Sequence, residues 1–447
     1  MSPRARLTTL LAAGAAVVLM ASLAVIITLS RPSEAPRPDP VAATVPVALK
    51  AEGLPKDVSL GVVLTLGQSG EPGSAYNQAA QGAVVAAQRF SRGGADVALS
   101  AQNDQGTEGG ARAAVQTLAK QGVSGIVVAT TGSQARAAAK AAEDLGVPVI
   151  LPYAEPSNPG QATWTTEPSG SSAQAALRTA LSGKKRVLLV NDGGGSPGSV
   201  EISQTLNLAN FNEVRDLAQE AAIRTGDQLR PPARDAPAGT ASTKVANPAD
   251  AVVVSAATPQ RLARLVQALQ ARDVSVPVIM PDGATAPAFA STLAELDGAA
   301  SGQLVSIASA GGDATALQQD AQGRGMSAFL SAVRLASGDP EVMNLTNDAP
   351  FSDDAWAADA RSHDAVVAFV RAAASARNGD PAKVGAALRT MAFGPADGLA
   401  GPALDFSRPT ALTAEAIPVY ASQQDLGLRP QNEDAPRLVW VPTPANP

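Results

Sequence analysis

Strand-like apolar runs alternate with helix-length amphipathic stretches from Val58 onward, and this constrains the fold more than any other feature. The runs are Val58–Leu66, Asp96–Asn103, Gly125–Ala129 and Val147–Leu151. Between the first two, Ala80, Ala83, Val84, Ala87 and Phe90 recur at helical spacing and form one apolar face. Helices are predicted over roughly 109–121 and 134–145 as well. Repeated βα units of this kind require a parallel sheet covered by helices on both faces. Such sheets present their ligand loops at the carboxyl ends of the strands.

Near Trp164–Ser169 the alternation restarts. Arg186–Asn191, Ala251–Ser255 and Val276–Met280 read as strands, and Pro259–Ala271 as a helix with Leu262, Leu265, Val266 and Leu269 on one side. The stretch 224–250 is rich in Pro, Gly, Ala and Thr and reads as irregular. Ala365–Ala376 is a late helix; Ala403–Phe406 and Ala416–Tyr420 are late strands. The expectation is an α/β protein of two doubly wound parallel-sheet lobes with a cleft between them, preceded by one transmembrane helix. Lobe one is assigned to 58–165 plus about 325–395, and lobe two to 166–324 plus about 396–445.

The membrane segment is Leu7–Leu29, free of charge over 23 positions and preceded by Arg4 and Arg6. As a helix it would be ~34 Å long at about 1.5 Å per residue, enough to cross a bilayer. Ile26-Ile27-Thr28-Leu29 runs into Arg31 and Pro32 with no small-x-small cleavage site, so an uncleaved signal anchor is expected. The basic end stays inside, which places the rest of the chain outside the cytoplasm, on the cell membrane as a single-pass protein. Residues 30–57, proline-rich and poor in large apolar side chains, read as a flexible tether.

Composition narrows the chemistry. The net charge of −6, with 34 basic and 40 acidic residues, argues against a nucleic-acid partner. The lack of cysteine excludes disulfides, thiolate metal sites and a lipidated cysteine. A single histidine, His363, speaks against a histidine metal site or a Ser-His-Asp triad. Asp192-Gly193-Gly194-Gly195 is not followed by a Lys-Ser/Thr pair and is no nucleotide P-loop. Neither enzymatic activity nor a cofactor is expected.

Several segments, in this order, resemble the periplasmic solute-binding proteins of the leucine/isoleucine/valine-binding type. They are Leu60-Gly61-Val62-Val63-Leu64-Thr65-Leu66 with Tyr76, Asn103-Asp104-Gln105-Gly106, and Gly146-Val147-Pro148-Val149-Ile150-Leu151-Pro152. Asp250-Ala251-Val252-Val253-Val254 with its helix, Met280-Pro281-Asp282-Gly283, His363-Asp364-Ala365-Val366 and Gly401-Pro402-Ala403-Leu404-Asp405-Phe406 complete the set. The resemblance spans roughly Val58 to Trp440. It implies a type I periplasmic-binding fold whose lobes close on a small amino-acid-like or amide ligand and present it to an ABC permease.

The resemblance also implies site residues. Thr131, Gly132 and Ser133 lie between a strand and a helix, where backbone N–H groups and hydroxyls suit a ligand carboxylate. Tyr153, Ala154 and Glu155 follow the last strand of lobe one, and Asp282 matches an acidic residue that holds the ligand's ammonium. Tyr76 and Tyr153 supply flat faces with polar tips in loops at the cleft, and Thr258 is a further contact from lobe two. Glu155 departs from the small or hydroxyl residue often found there, which leaves ligand specificity open. A membrane-anchored sensor and a non-binding interaction module of the same fold are the alternatives.

Overall fold

The computed structural model describes residues 46–67, 80–155, 160–233, 235–281, 283–300, 303–309, 312–430 and 438–442. The expected anchor at 7–29 and most of the expected tether lie outside the described residues, as do Tyr76 and Asp282. Among the described residues no helix is long and apolar enough to cross a membrane.

The first sheet holds β1 (Ser59–Leu64), β2 (Ala98–Asn103), β3 (Ile126–Val128), β4 (Val149–Leu151) and β5 (Thr163–Thr165), in the order β2-β1-β3-β4-β5. All neighbours pair in parallel. From Leu60 to Leu64, β1 is buried on both faces, which explains its unbroken apolar sequence. The edge strand β2 is half-exposed and correspondingly mixed in sequence. One face packs on α1 (Gln81–Ser91), the other on α2 (Glu108–Lys120) and α3 (Gly132–Asp144). Gly61 permits that second contact, because a Cβ there would stand 2.7 Å from Leu118 Cδ1.

After α4 (Gly170–Ala180) the second sheet begins. It orders β14-β13-β10-β9-β8-β6-β7, built from β6 (Val187–Asp192), β7 (Gln204–Asn207), β8 (Ala251–Ala256), β9 (Val278–Met280), β10 (Leu304–Ala308), β13 (Ile417–Ser422) and β14 (Val439–Pro442). Strands β7-β6-β8-β9-β10 are parallel and repeat the 2-1-3-4-5 order of the first sheet, while β13 and β14 extend it antiparallel. Helices α5 (Val214–Thr225), α6 (Pro259–Gln270) and α7 (Pro287–Glu295) cover one face, and α4 covers the other.

The chain then returns to the first lobe through α8 (Ala321–Ser337), α9 (Phe351–Asp354), α10 (Ala360–Ala376) and α11 (Pro381–Leu388). Phe329, Phe351 and Phe369 are fully buried there. Each such side chain contributes about 1.5–3 kcal/mol of burial free energy. This return runs further than the expected 395. The hairpin β11 (Ala392–Phe393) and β12 (Leu404–Asp405), with Leu399, Ala400, Phe406, Ala411 and Leu412, belongs to the same core. The physical cause is Phe406, whose ring meets Trp164 edge-on at 5.8 Å and whose carbonyl accepts the Trp164 indole N–H at 2.8 Å.

The described end of the expected tether also differs from an extended linker. Leu49 is buried and donates its N–H to the Arg89 carbonyl at 2.8 Å, while the Val47 carbonyl accepts from Arg89 Nε at 2.8 Å. A few apolar residues and one buried guanidinium are enough to fold this stretch onto α1.

Candidate functional site

In each parallel sheet the strand order reverses direction at one point: between β1 and β3 in the first, and between β6 and β8 in the second. In open α/β sheets the loops that leave the carboxyl ends at such a point diverge to opposite faces, and ligands usually bind in the crevice between them.

At the first switch point a buried network fixes the strand ends. Thr65 donates to Asp104 Oδ1 at 2.8 Å and its hydroxyl lies 3.0 Å from that of Thr130. Gly106 N also donates to Asp104 Oδ1, at 2.8 Å. Above this network α3 begins. Its N-cap residue Thr131 is extended (φ −129°), and the Thr131 side chain accepts no first-turn N–H. Gly132 follows with φ +72°, a left-handed conformation that favours glycine. Thr131 and Ser133 are half-buried and Gly132 is exposed. A helix start with hydroxyls beside it and no side-chain cap attracts an anion through its backbone N–H groups and its dipole.

Tyr153 stands at the carboxyl end of β4, half-buried. Its hydroxyl donates to Asp359 Oδ2 at 2.7 Å and accepts from Ala80 N at 3.4 Å. Burial, reinforced by the Asp359 carboxylate, pushes its pKa well up and keeps the phenol neutral. Asp359 is the N-cap of α10, accepting from Ser362 N at 2.8 Å. The hydroxyl of Tyr153 therefore joins β4 to α10, and its ring packs against the core of the first lobe. The Ala154 carbonyl accepts from Thr165 Oγ1 at 2.7 Å, which ties this loop to the first crossing between the lobes. Glu155 is exposed, and its carboxylate lies beside the start of α4, 3.6 Å from where a Cβ on Gly170 would stand.

Sequence reasoning missed the ion pairs around these crossings. Arg361, in the first turn of α10, pairs with Glu167 and donates to the Pro152 carbonyl at 3.1 Å. Arg429, beyond β13, pairs with Asp313 (Nη2 to Oδ1, 2.9 Å) and donates to the carbonyls of Ala355 and Ala358 in the first lobe. Partners so far apart in the chain leave no local pattern to read.

At the second switch point Thr258 caps α6 by accepting from Arg261 N at 3.3 Å, so its hydroxyl is committed to the helix. Arg261, on that first turn, reaches across to Asp192 at the end of β6 in a forked pair, Nε to Oδ2 at 2.8 Å and Nη2 to Oδ1 at 2.7 Å. The Gly193–Gly194 backbone folds over the end of β8, where a Cβ on Gly194 would be 2.5 Å from Ala256 N and 2.7 Å from its carbonyl oxygen. Closeness of backbones, rather than phosphate binding, accounts for the glycine there.

The single histidine is structural. Arg89 Nη1 donates to His363 Nε2 at 2.9 Å, so the imidazole is neutral, with its proton on Nδ1 and given to Asp364 Oδ1 at 2.7 Å. Asp364 in turn accepts from Ala400 N and Gly401 N, both at 2.8 Å. Burial lowers the pKa of His363 and brings Arg89 down to about 10. This network joins α1, α10 and the loop 398–401 inside the first lobe.

The receptor family ligand binding region matches residues 77–408, most of the chain. The chain belongs to that family. No curated protein sequence matches it. Among solved structures, this receptor-family chain is similar to the branched-chain amino acid transporter substrate-binding protein LivJ from Streptococcus pneumoniae in complex with isoleucine. The TM-score is 0.55 at 16% identity, covering 81% of this chain and 99% of that one. An ABC transporter substrate-binding protein from Desulfitobacterium hafniense complexed with Leu gives a TM-score of 0.56 at 13% identity, with coverages of 86% and 99%. A solute-binding protein from R. palustris in complex with 4-hydroxybenzoate gives 0.54 at 16% identity, with coverages of 86% and 96%. At these identities the likeness establishes the fold, the type I periplasmic-binding fold with its doubled parallel sheets.

Proposed function

We propose that this chain is an extracytoplasmic receptor that captures a small, carboxylate-bearing, amino-acid-like ligand between its lobes by hinge closure. The observation that carries this reading is the start of α3, lying at a switch point with hydroxyls on either side and no side-chain cap. Isoleucine, leucine and 4-hydroxybenzoate, the ligands of the three similar structures, all carry a carboxylate. In this reading Thr131, Gly132 and Ser133 receive that group, and Tyr76 and Tyr153 pack their rings on the ligand. Ala154 and Glu155 border the site from lobe one, Thr258 borders it from lobe two, and Asp282 holds the ammonium. Contacts made only in the closed form stabilise closure by their differential free energy.

The receptor would sit on the outer face of the cell membrane, anchored by residues 7–29, and deliver its ligand to an ABC permease. Binding, not catalysis, is the role. The only imidazole is buried and fully engaged, and the family is one of ligand-binding regions. The test is a thermal-shift series on the full chain in mild detergent, against amino acids, aromatic acids, short amides, urea and polyamines. A ligand of the folded state raises the melting temperature with concentration. Amino or aromatic acids should do so, whereas a response to polyamines alone would assign the site to cations and overturn the reading.

A further inference from the structure

The second switch point carries a feature that the site described above does not use. Asp192 is the last residue of β6 and only 8% exposed, while the Arg261 side chain that it holds is 47% exposed. The forked pair engages Nε and Nη2. Among the described residues Nη1 takes no partner. A guanidinium fixed along one edge by a buried carboxylate is rigid and still offers donors along its other edge, as two-sided recognition of a planar oxyanion requires. Its position is set by the fold. Arg261 lies on the first turn after β8 and Asp192 ends the adjacent β6, so the head group stands over the carboxyl ends where the strand order reverses.

Building on the receptor reading, we infer that Arg261 is the specificity-determining residue of lobe two, and that the ligand carries a second carboxylate which Arg261 receives. One carboxylate is bound at the start of α3 and the other is bound across the cleft by the guanidinium. An amino acid with an acidic side chain or a simple dicarboxylate meets this demand. Leucine and glutamine do not, since each leaves the guanidinium edge facing an uncharged group. Asp192 is a positioning residue, acting through Arg261.

The test is calorimetric titration of the full chain in mild detergent with glutamate, glutarate, glutamine and leucine, repeated on Arg261→Gln, Arg261→Lys and the double variant Asp192→Asn/Arg261→Gln. The double variant removes the unpaired buried carboxylate, so a folding defect in Arg261→Gln does not decide the outcome. Wild type should bind glutamate or glutarate at least about tenfold more tightly than glutamine, the lower range for a charge-assisted hydrogen bond. Both glutamine variants should lose that preference, and Arg261→Lys should keep part of it. Tighter binding of glutamate than of glutarate assigns the ligand as an acidic amino acid, and the reverse as a dicarboxylate. Leucine or glutamine bound as tightly as glutamate, with affinities unmoved in Arg261→Gln, would overturn the inference and leave the receptor reading standing. Binding of none of the four would overturn the inference at once, and the wider thermal-shift series then decides the receptor reading separately.

Discussion

The hydroxyl of Tyr153 donates to the Asp359 carboxylate at 2.7 Å, and that same carboxylate caps α10 through Ser362 N. One acidic side chain thus joins the loop after β4, where the Tyr153 ring is proposed to pack on the ligand, to a helix that returns the chain to the first lobe. The orientation of the Tyr153 ring is set by this bond.

Removing either partner should therefore be costly, and the two losses should be coupled. Tyr153→Phe is expected to cost about 1.5–3 kcal/mol, as for a hydrogen bond to a charged group. Asp359→Ala should cost more, because the cap is lost as well, typically a further ~1 kcal/mol. Denaturant unfolding of the single and double variants gives the coupling energy. Additive losses would show that the pair does not act as a unit.

Close backbone approach makes Gly82 a second sensitive point. A Cβ there would lie 1.9 Å from the Asp359 carbonyl oxygen and 2.6 Å from Ser362 Oγ, so α1 would be pushed off the start of α10. Gly82→Ala should destabilise by about 1–3 kcal/mol or more, since the obstacle is backbone. A melting temperature equal to that of wild type would show that the helices can separate freely at this crossing.

The buried network around His363 gives a pH dependence with a definite sign. Burial lowers its folded pKa below the ordinary 6.5, so the unfolded chain binds the proton more readily. Its contribution to stability is complete above pH 6.5 and is lost as pH falls from there towards the depressed folded value. The slope from this one proton is at most about 1.4 kcal/mol per pH unit. His363→Gln preserves a donor for Asp364 and an acceptor for Arg89 but does not titrate. Urea unfolding between pH 7.5 and 5 should show a shallower dependence in that variant, and identical slopes would remove His363 as the cause.

Much of the first lobe is legible in the sequence because its strands are buried on both faces and its helices carry a clean apolar stripe. Val147–Leu151 and Gly125–Ala129 contain the observed β4 and β3, and the predicted helix 109–121 lies within one residue of α2. The polar edge strand β7 (Gln204–Asn207) has neither signal and was not legible, nor was the helix α5 beyond it. The site divides in the same way. Thr131 to Ser133 stand out because a helix start after a strand has a local signature. Arg261 and Asp192 are joined only by the pairing of β6 with β8, and nothing near either residue announces the other.

The central claim is that the start of α3 holds a ligand carboxylate, and Ser133→Asp tests it most directly. An acidic residue in the first turn favours a helix by about 0.3–1 kcal/mol, so the empty variant should melt no lower than wild type. The same charge repels a carboxylate from the site. The expected result is an unchanged or raised melting temperature without ligand, together with loss of the shift caused by the best carboxylate ligand of the wild type. A ligand-induced shift of undiminished size in a stably folded Ser133→Asp protein would contradict the account.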